Sequence, residues 1–220
     1  MYKLLDSTLH GTTSNAELFL VEGDSASQAV ANCRNAHFQA VLPMQGKPMN
    51  VYKASLQKIQ QNPLFVALHT SITGDINIAC SIEKCRYQRI ILLMDPDADG
   101  IHCAALMLLY FHRFMPELLT AGMLHIVRAP VGEMVNTANN TTEYAFNIAQ
   151  FTALLNVQKN NLQQNNAQQN NANISYQVVK YRGLAGIAVN VLSECCINPK
   201  TRTTSILGIK DAVMALEIFG

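Results

Sequence analysis

The sequence predicts an α/β fold in which a parallel sheet is flanked by helices and followed by a small C-terminal appendage. Three observations carry this. Short apolar runs alternate with segments of helical spacing, as strands and crossover helices do. The run Arg89-Ile90-Ile91-Leu92-Leu93-Met94 is almost continuously apolar, the mark of a strand buried on both faces. Two of the runs end in acidic residues, where open α/β sheets place their ligands.

The first strand is Glu17-Leu18-Phe19-Leu20-Val21, which ends at Glu22-Gly23; glycine permits a sharp turn, and Asp24-Ser25-Ala26 opens a helix. Phe38 to Leu42 reads as a second strand stopped by Pro43, and Leu56 to Ile59 and Leu64 to Ile72 suit two short helices. After Arg89 to Met94 an acidic turn leads into a helix from about Ile101 to Ala121, and His125 to Ala129 forms a further strand. From about Asn156 to Asn173 asparagine and glutamine dominate, with little to bury, which predicts a mobile linker or loop tip. Ile174 to Tyr181 resumes as a strand, and Asp211 caps a last helix reaching Phe219. No internal repeat is present.

At 220 residues and 49% hydrophobic content the chain can bury one sizeable core. Sixteen basic against 15 acidic side chains make bulk attraction to a polyanion weak, so any nucleic-acid binding has to be local, metal-assisted or shared with a partner. The six cysteines include no CxxC pair, which argues against zinc and against a disulfide scaffold and for reduced, buried thiols. The N-terminus lacks a signal-peptide core, and His102, His112, Arg113, Pro116 and Glu117 interrupt Ile101 to Leu119; a cytoplasmic, non-membrane protein is expected.

Asp95-Pro96-Asp97-Ala98-Asp99-Gly100 places three carboxylates at alternate positions between a buried strand and a helix. Such anions repel unless a cation joins them, and magnesium is commonly held by one or two carboxylates plus waters and phosphate oxygens. The alternative is a solvated loop in which Asp99 caps the next helix. A calcium loop is disfavoured, since the position that needs a bidentate glutamate holds Leu106 and the loop follows a strand. Pro96 biases Asp95 towards an extended conformation, which a strand end tolerates. Glu22, at the end of the first strand, is the natural completing ligand.

With those residues in view, Leu20-Val21-Glu22-Gly23-Asp24-Ser25-Ala26 resembles the EGDSA motif of type IIA DNA topoisomerase B subunits, gyrase and topoisomerase IV alike. Pro43 to Val51 is similar to their PLRGKILNV segment, Asp95 to His102 to DADVDGxH, Tyr181 to Leu184 to the start of YKGLGE, and Asn198 to Arg202 to DPxTR. Departures stand beside the matches: Gln45 replaces a basic residue, Ser27-Gln28 a Gly-Gly pair, and Ala185-Gly186 the Gly-Glu that closes YKGLGE.

The resemblance implies a Toprim fold, a Rossmann-like parallel sheet, divided as residues 1–130 for the metal-binding domain, 131–173 for a peripheral hairpin, helix and flexible linker, and 174–220 for a tail packing back. It implies Mg2+ at up to two sites, with Mn2+ or Ca2+ as substitutes. Glu22 and Asp95 would hold one ion, Asp95 and Asp97 the second, and Asp99 would support them. Glu22, Asp95 and His102 are the catalytic candidates; Lys47, Asn50 and Arg182 are the DNA-binding ones. The implied partners are DNA and an A subunit whose tyrosine attacks the phosphate, with the ATPase domain supplied elsewhere and no ATP site in this chain. A non-catalytic assembly module and a stand-alone Toprim nuclease or primase-like enzyme are the alternatives.

Overall fold

The computed structural model of the chain describes residues 3–75, 80–167 and 176–219, with the side chains of 162–167 outside that description. Its centre is a sheet of β1 (Glu17–Glu22), β2 (Gln39–Met44), β3 (Arg89–Leu93), β4 (Leu124–Val127) and β8 (Thr204–Ile206), in the order β2-β1-β3-β4-β8. The first four are parallel and β8 is antiparallel to β4. A second sheet, in the order β6-β5-β7, contains β5 (Gly132–Asn136), β6 (Thr141–Ala145) and β7 (Tyr176–Lys180). The helices are α1 (Gly23–Ala31), α2 (Leu56–Gln60), α3 (Pro63–Thr73), α4 (Ala98–Phe114), α5 (Pro116–Thr120), α6 (Ile148–Ala167), α7 (Val189–Leu192) and α8 (Ile209–Phe219).

Alternation along the central strands divides the core between two faces. Leu18, Leu20, Ile90 and Leu92 pack with Leu68 and Ile72 of α3, Met107 and Phe111 of α4, and Ala212 of α8. Phe19, Val21, Ile91 and Leu93 pack with Ala26 and Val30 of α1 and with Tyr181, Leu184, Ile187, Leu192 and Cys196 from beyond β7. Burying each large side chain contributes about 1.5–3 kcal/mol. The second sheet has its own small core of Val131, Met134, Ala145, Phe151 and Leu154 under α6.

Two polar anchors hold the chain ends to this frame. Buried Glu17 pairs with the buried guanidinium of Arg202, and Gln39 Nε2 donates to Glu17 Oε2 (2.9 Å) and to the Ile197 carbonyl (3.0 Å). Asp6 accepts from Tyr87 Oη (2.7 Å) and Arg86 (2.5 Å) and pairs with His10 (3.0 Å). Burial opposes ionisation of Asp6, but His10, Arg86, Tyr87 and the Ser7 N–H outweigh it and hold its carboxyl well below the usual range.

Several local expectations are corrected. β2 continues through Pro43 to Met44, because it is an edge strand whose outer side carries one bridge, Leu5 to Val41, so a missing donor is tolerated. The long helix starts at Ala98 and breaks at Met115, which Pro116 drives out of helical geometry (φ −140°, ψ 49°). Asp211 lies within the first turn of α8 and reaches back to accept the Gly208 N–H (2.8 Å), so it is not the cap itself. The linker expected from Asn156 is helical through Ala167, since Phe151 and Leu154 anchor α6 and Gln158 Nε2 donates to the Tyr176 carbonyl (2.8 Å). The rest of that stretch, and Ile174 of the expected strand, lie outside the described residues. Among the described residues no helix is long and apolar enough to cross a membrane.

Candidate metal centre and nucleic-acid interface

Strand order creates the site. From β1 the chain turns to β2 on one side and to β3 on the other, so a crevice opens where the two crossovers part, beyond the carboxyl ends of β1 and β3. Glu22 is the last residue of β1, and Asp95 follows β3 by two positions; Val21 and Leu93 are direct partners in the ladder. Gly23 takes φ 80°, a conformation that glycine alone adopts without strain, and it turns the chain from β1 directly into α1.

Glu22 makes no side-chain bond to the helix that follows it, and its Oε2 is a buried oxygen with no hydrogen-bond partner. Burial first, then the charges of Asp95, Asp97 and Asp99, push its carboxyl above the usual range, against the pull of Lys47. Burial and Asp97 likewise push Asp95 up, opposed by a backbone bond: Asp95 Oδ1 accepts the Leu184 N–H at 2.8 Å. Both carboxylates therefore bear a cost of ionisation that a cation would relieve.

The other two aspartates are differently placed. Asp97 caps α4, its Oδ1 accepting the Gly100 N–H at 2.8 Å. Asp99, expected as a cap or a supporting ligand, points outward at 74% exposure and pairs with Lys47 Nζ at 2.7 Å. The Lys47 bond holds the Asp99 carboxyl below its usual range and raises the lysine in turn. Among the described residues, no three His, Cys, Asp or Glu side chains close a metal cage by themselves. The carboxylates at this edge, Glu22, Asp95 and Asp97, offer only oxygens, and they are not gathered as a trio around one point. Hard oxygens, one of them a buried orphan, fit a hard divalent ion that keeps waters or phosphate oxygens.

Around this edge sit the nucleic-acid candidates. Lys47 Nζ also lies 3.3 Å from His102 Nδ1, which joins His102 to the acidic edge. The His102 ring stacks on Phe219 at 4.9 Å, with 17° between planes. Asn50 donates from Nδ2 to the Phe219 carbonyl (2.7 Å) and accepts the Tyr52 N–H (2.9 Å), so its amide is committed to the end of α8. Arg182 is exposed and makes no ion pair among the described residues.

Sequence reasoning missed Gly183 and Leu184 as supports of the site. A Cβ on Gly183 would stand 2.8 Å from Asp95 Oδ2 and 3.1 Å from its Cγ, so the glycine backbone lies directly on the carboxylate. The available signal is the glycine itself, which follows Tyr181-Arg182 and marks a close approach as well as a motif. Cys103, expected as a reduced and buried thiol, is free and buried near this edge; burial, then Glu22, push its thiol up to about 11.

Comparison with known proteins follows the same contour. The Toprim domain family matches residues 17–129. The chain is similar to the DNA gyrase B subunit of Clostridium acetobutylicum, 34% identical over 203 residues, which covers 92% of this chain and 30% of that protein. The DNA gyrase B subunit of Mycoplasmoides gallisepticum is 34% identical over 204 residues (93% and 29%), and that of Thermus thermophilus 32% over 208 residues (93% and 30%). The chain spans about 30% of the length of these curated relatives.

Proposed function

The chain belongs to the Toprim domain family, and from that premise we infer that it is the Mg2+-binding part of a type IIA DNA topoisomerase, assisting strand cleavage and religation by a tyrosine on a partner A subunit. Its similarity to the B subunit of DNA gyrase supports the reaction class. The observation that carries the site is the buried, unbonded Glu22 Oε2 on the strand next to the one that presents Asp95.

Glu22 and Asp95 would hold one ion and Asp95 with Asp97 a second. When bound, the divalent ion supplies Lewis-acid stabilisation of the charge that develops on the departing sugar oxygen. The chain's own residues do the rest. Glu22, its carboxyl raised above the ordinary range by burial and then by the neighbouring acids, is placed to give a proton to the departing sugar oxygen on cleavage and to take it back on religation. The Leu184 N–H fixes Asp95 Oδ1 and leaves the rest of that carboxylate for the ion. Lys47, already bonded to Asp99, supplies a cation at the rim for a DNA phosphate, and Arg182 a second. His102 is oriented by its stack on Phe219 and by Lys47. ATP hydrolysis would come from another domain, in the cytoplasm.

A second reading, a non-catalytic assembly module, is favoured by one pair of observations: Lys47 is engaged by Asp99, and Asn50 by the end of α8. Two measurements separate the readings. Calorimetry should detect weak Mg2+ binding that Asp95→Asn removes; equal affinity in both proteins overturns the metal assignment. Mixing the chain with a purified gyrase A subunit and an ATPase fragment should then give a Mg2+-dependent covalent cleavage complex. Its absence, with metal binding intact, would leave the assembly module as the better account.

A further inference from the structure

A cavity of about 680 Å3 opens beside the acidic edge, between the α4 N-terminus, the end of β4, the start of α6 and the segment after β7. Neither Glu22 nor Lys47 lines it. Its volume falls within the roughly 300–1,000 Å3 of small-molecule sites. Two features define what would enter. Ile101, Phe146 and Ile148 line it while remaining 71%, 38% and 61% exposed, an apolar wall that the chain leaves in water. Arg128, Lys180 and Arg182 also line it, all exposed and none in an ion pair among the described residues.

We propose that this cavity binds a small apolar anion, an aromatic or branched carboxylate, sulfonate or phosphate ester, with its body on Ile101, Phe146 and Ile148 and its charged group among Arg128, Lys180 and Arg182. Three such cations in one lining favour negative charge, and charge-assisted hydrogen bonds are roughly twice as strong as neutral ones. Asp95 and Asp97, which share the lining, repel an anion and so decide which end faces the cations. A bare sugar–phosphate strand would satisfy the cations but leave Ile101 and Ile148 uncovered, so an apolar body accounts for more of the surface. The inference goes beyond the topoisomerase reading, with which the cavity shares Asp95, Asp97 and Arg182.

The test uses anilinonaphthalene sulfonate, an aromatic anion whose fluorescence rises in apolar surroundings, with uncharged anilinonaphthalene as its partner. The folded chain should bind the sulfonate at one saturable site, at least about tenfold more tightly than the uncharged compound. Arg128→Ala with Lys180→Ala should reduce sulfonate affinity by about tenfold and leave the uncharged compound unchanged. Ile148→Glu, at an exposed position, should weaken both without changing the thermal melt, which separates loss of the site from loss of the fold. Equal binding of the two compounds, multiple weak sites, or sulfonate affinity unchanged in either variant would overturn the proposal.

Discussion

Gly183→Ala tests how the acidic edge is held. The backbone at this position is extended (φ 176°, ψ 170°), which alanine adopts freely, so any effect comes from the close approach alone. The new methyl group would stand 2.8 Å from Asp95 Oδ2 and 3.1 Å from Cγ, where van der Waals contact needs about 3.5–4 Å. Asp95 cannot simply rotate away, because its Oδ1 is held by the Leu184 N–H at 2.8 Å. Either the loop or the carboxylate moves, and the bond between them is lost or stretched. A hydrogen bond to a charged group contributes about 1.5–3 kcal/mol, so Mg2+ affinity should fall by about ten- to a hundredfold if the bond positions the ligand. Gly186→Ala is the control, since a Cβ there meets nothing within 4 Å. Calorimetric Mg2+ titration and thermal melts of both variants read the outcome. Wild-type affinity and melting temperature in Gly183→Ala would refute the claim that this segment positions Asp95.

Other predictions concern charge. Glu22 and Asp95 are both raised, so the folded state holds their protons more tightly than the unfolded chain does. Their cost is absent below the ordinary carboxylate pKa near ~4 and grows as pH rises through the raised folded values. The metal-free protein should therefore gain stability from these groups on acidification from neutral pH, and Glu22→Gln with Asp95→Asn should flatten that limb in chemical denaturation; an unchanged slope would count against the raised values. Asp6 acts in the opposite sense: depressed in the fold, it contributes stability above the ordinary carboxylate pKa that disappears as pH falls through its folded value. Asp6→Asn should lower the melting temperature clearly more at pH 7 than near pH 2, where only part of the charge contribution remains; equal loss at both would mean that packing, not charge, is responsible. Lys47→Ala should leave the melt almost unchanged, because its pair with Asp99 is exposed, yet weaken DNA binding and reduce its salt slope by about one. An unchanged slope would remove Lys47 from the DNA contacts.

What could be read from the sequence follows from how far each signal reaches along the chain. The strands β1, β2 and β3 were legible because burial on both faces makes most of their residues apolar, and the strand-end places of Glu22 and Asp95 were legible with them. The hairpin of β5 and β6 was harder to read: β6 carries exposed Thr141, Thr142 and Glu143, so no apolar alternation marks it. Composition misleads at helix α6, because Asn and Gln permit a helix once Phe151 and Leu154 have anchored its first turns. The Asp95–Leu184 bond spans 89 positions, and no local pattern encodes a contact of that separation. The partition among the aspartates was equally hidden, since three identical side chains end as a backbone acceptor, a helix cap and a lysine partner.

That long-range contact also bears on what counts as one folding unit. The Toprim match ends at residue 129, and a boundary near 130 looks natural in the sequence. Yet the core on the α1 side of the sheet is completed from beyond it: Tyr181, Leu184, Ile187, Val191, Leu192, Cys195, Cys196 and Ile197 cover Phe19, Val21, Ile91 and Leu93. A chain cut at 130 would uncover much of that face, and with each large side chain contributing about 1.5–3 kcal/mol the loss for those four is comparable with the ~5–15 kcal/mol by which domains are usually stable. The same cut removes Arg202 and leaves Glu17, among the described residues, with only its longer ion pair to Arg89 (3.5 Å). The segment that completes this core is also the one that bonds Asp95, so the position of the acidic edge depends on the same residues that bury the second face. The second sheet with α6 is inserted in the chain between β4 and that segment, and it buries a separate small core of its own.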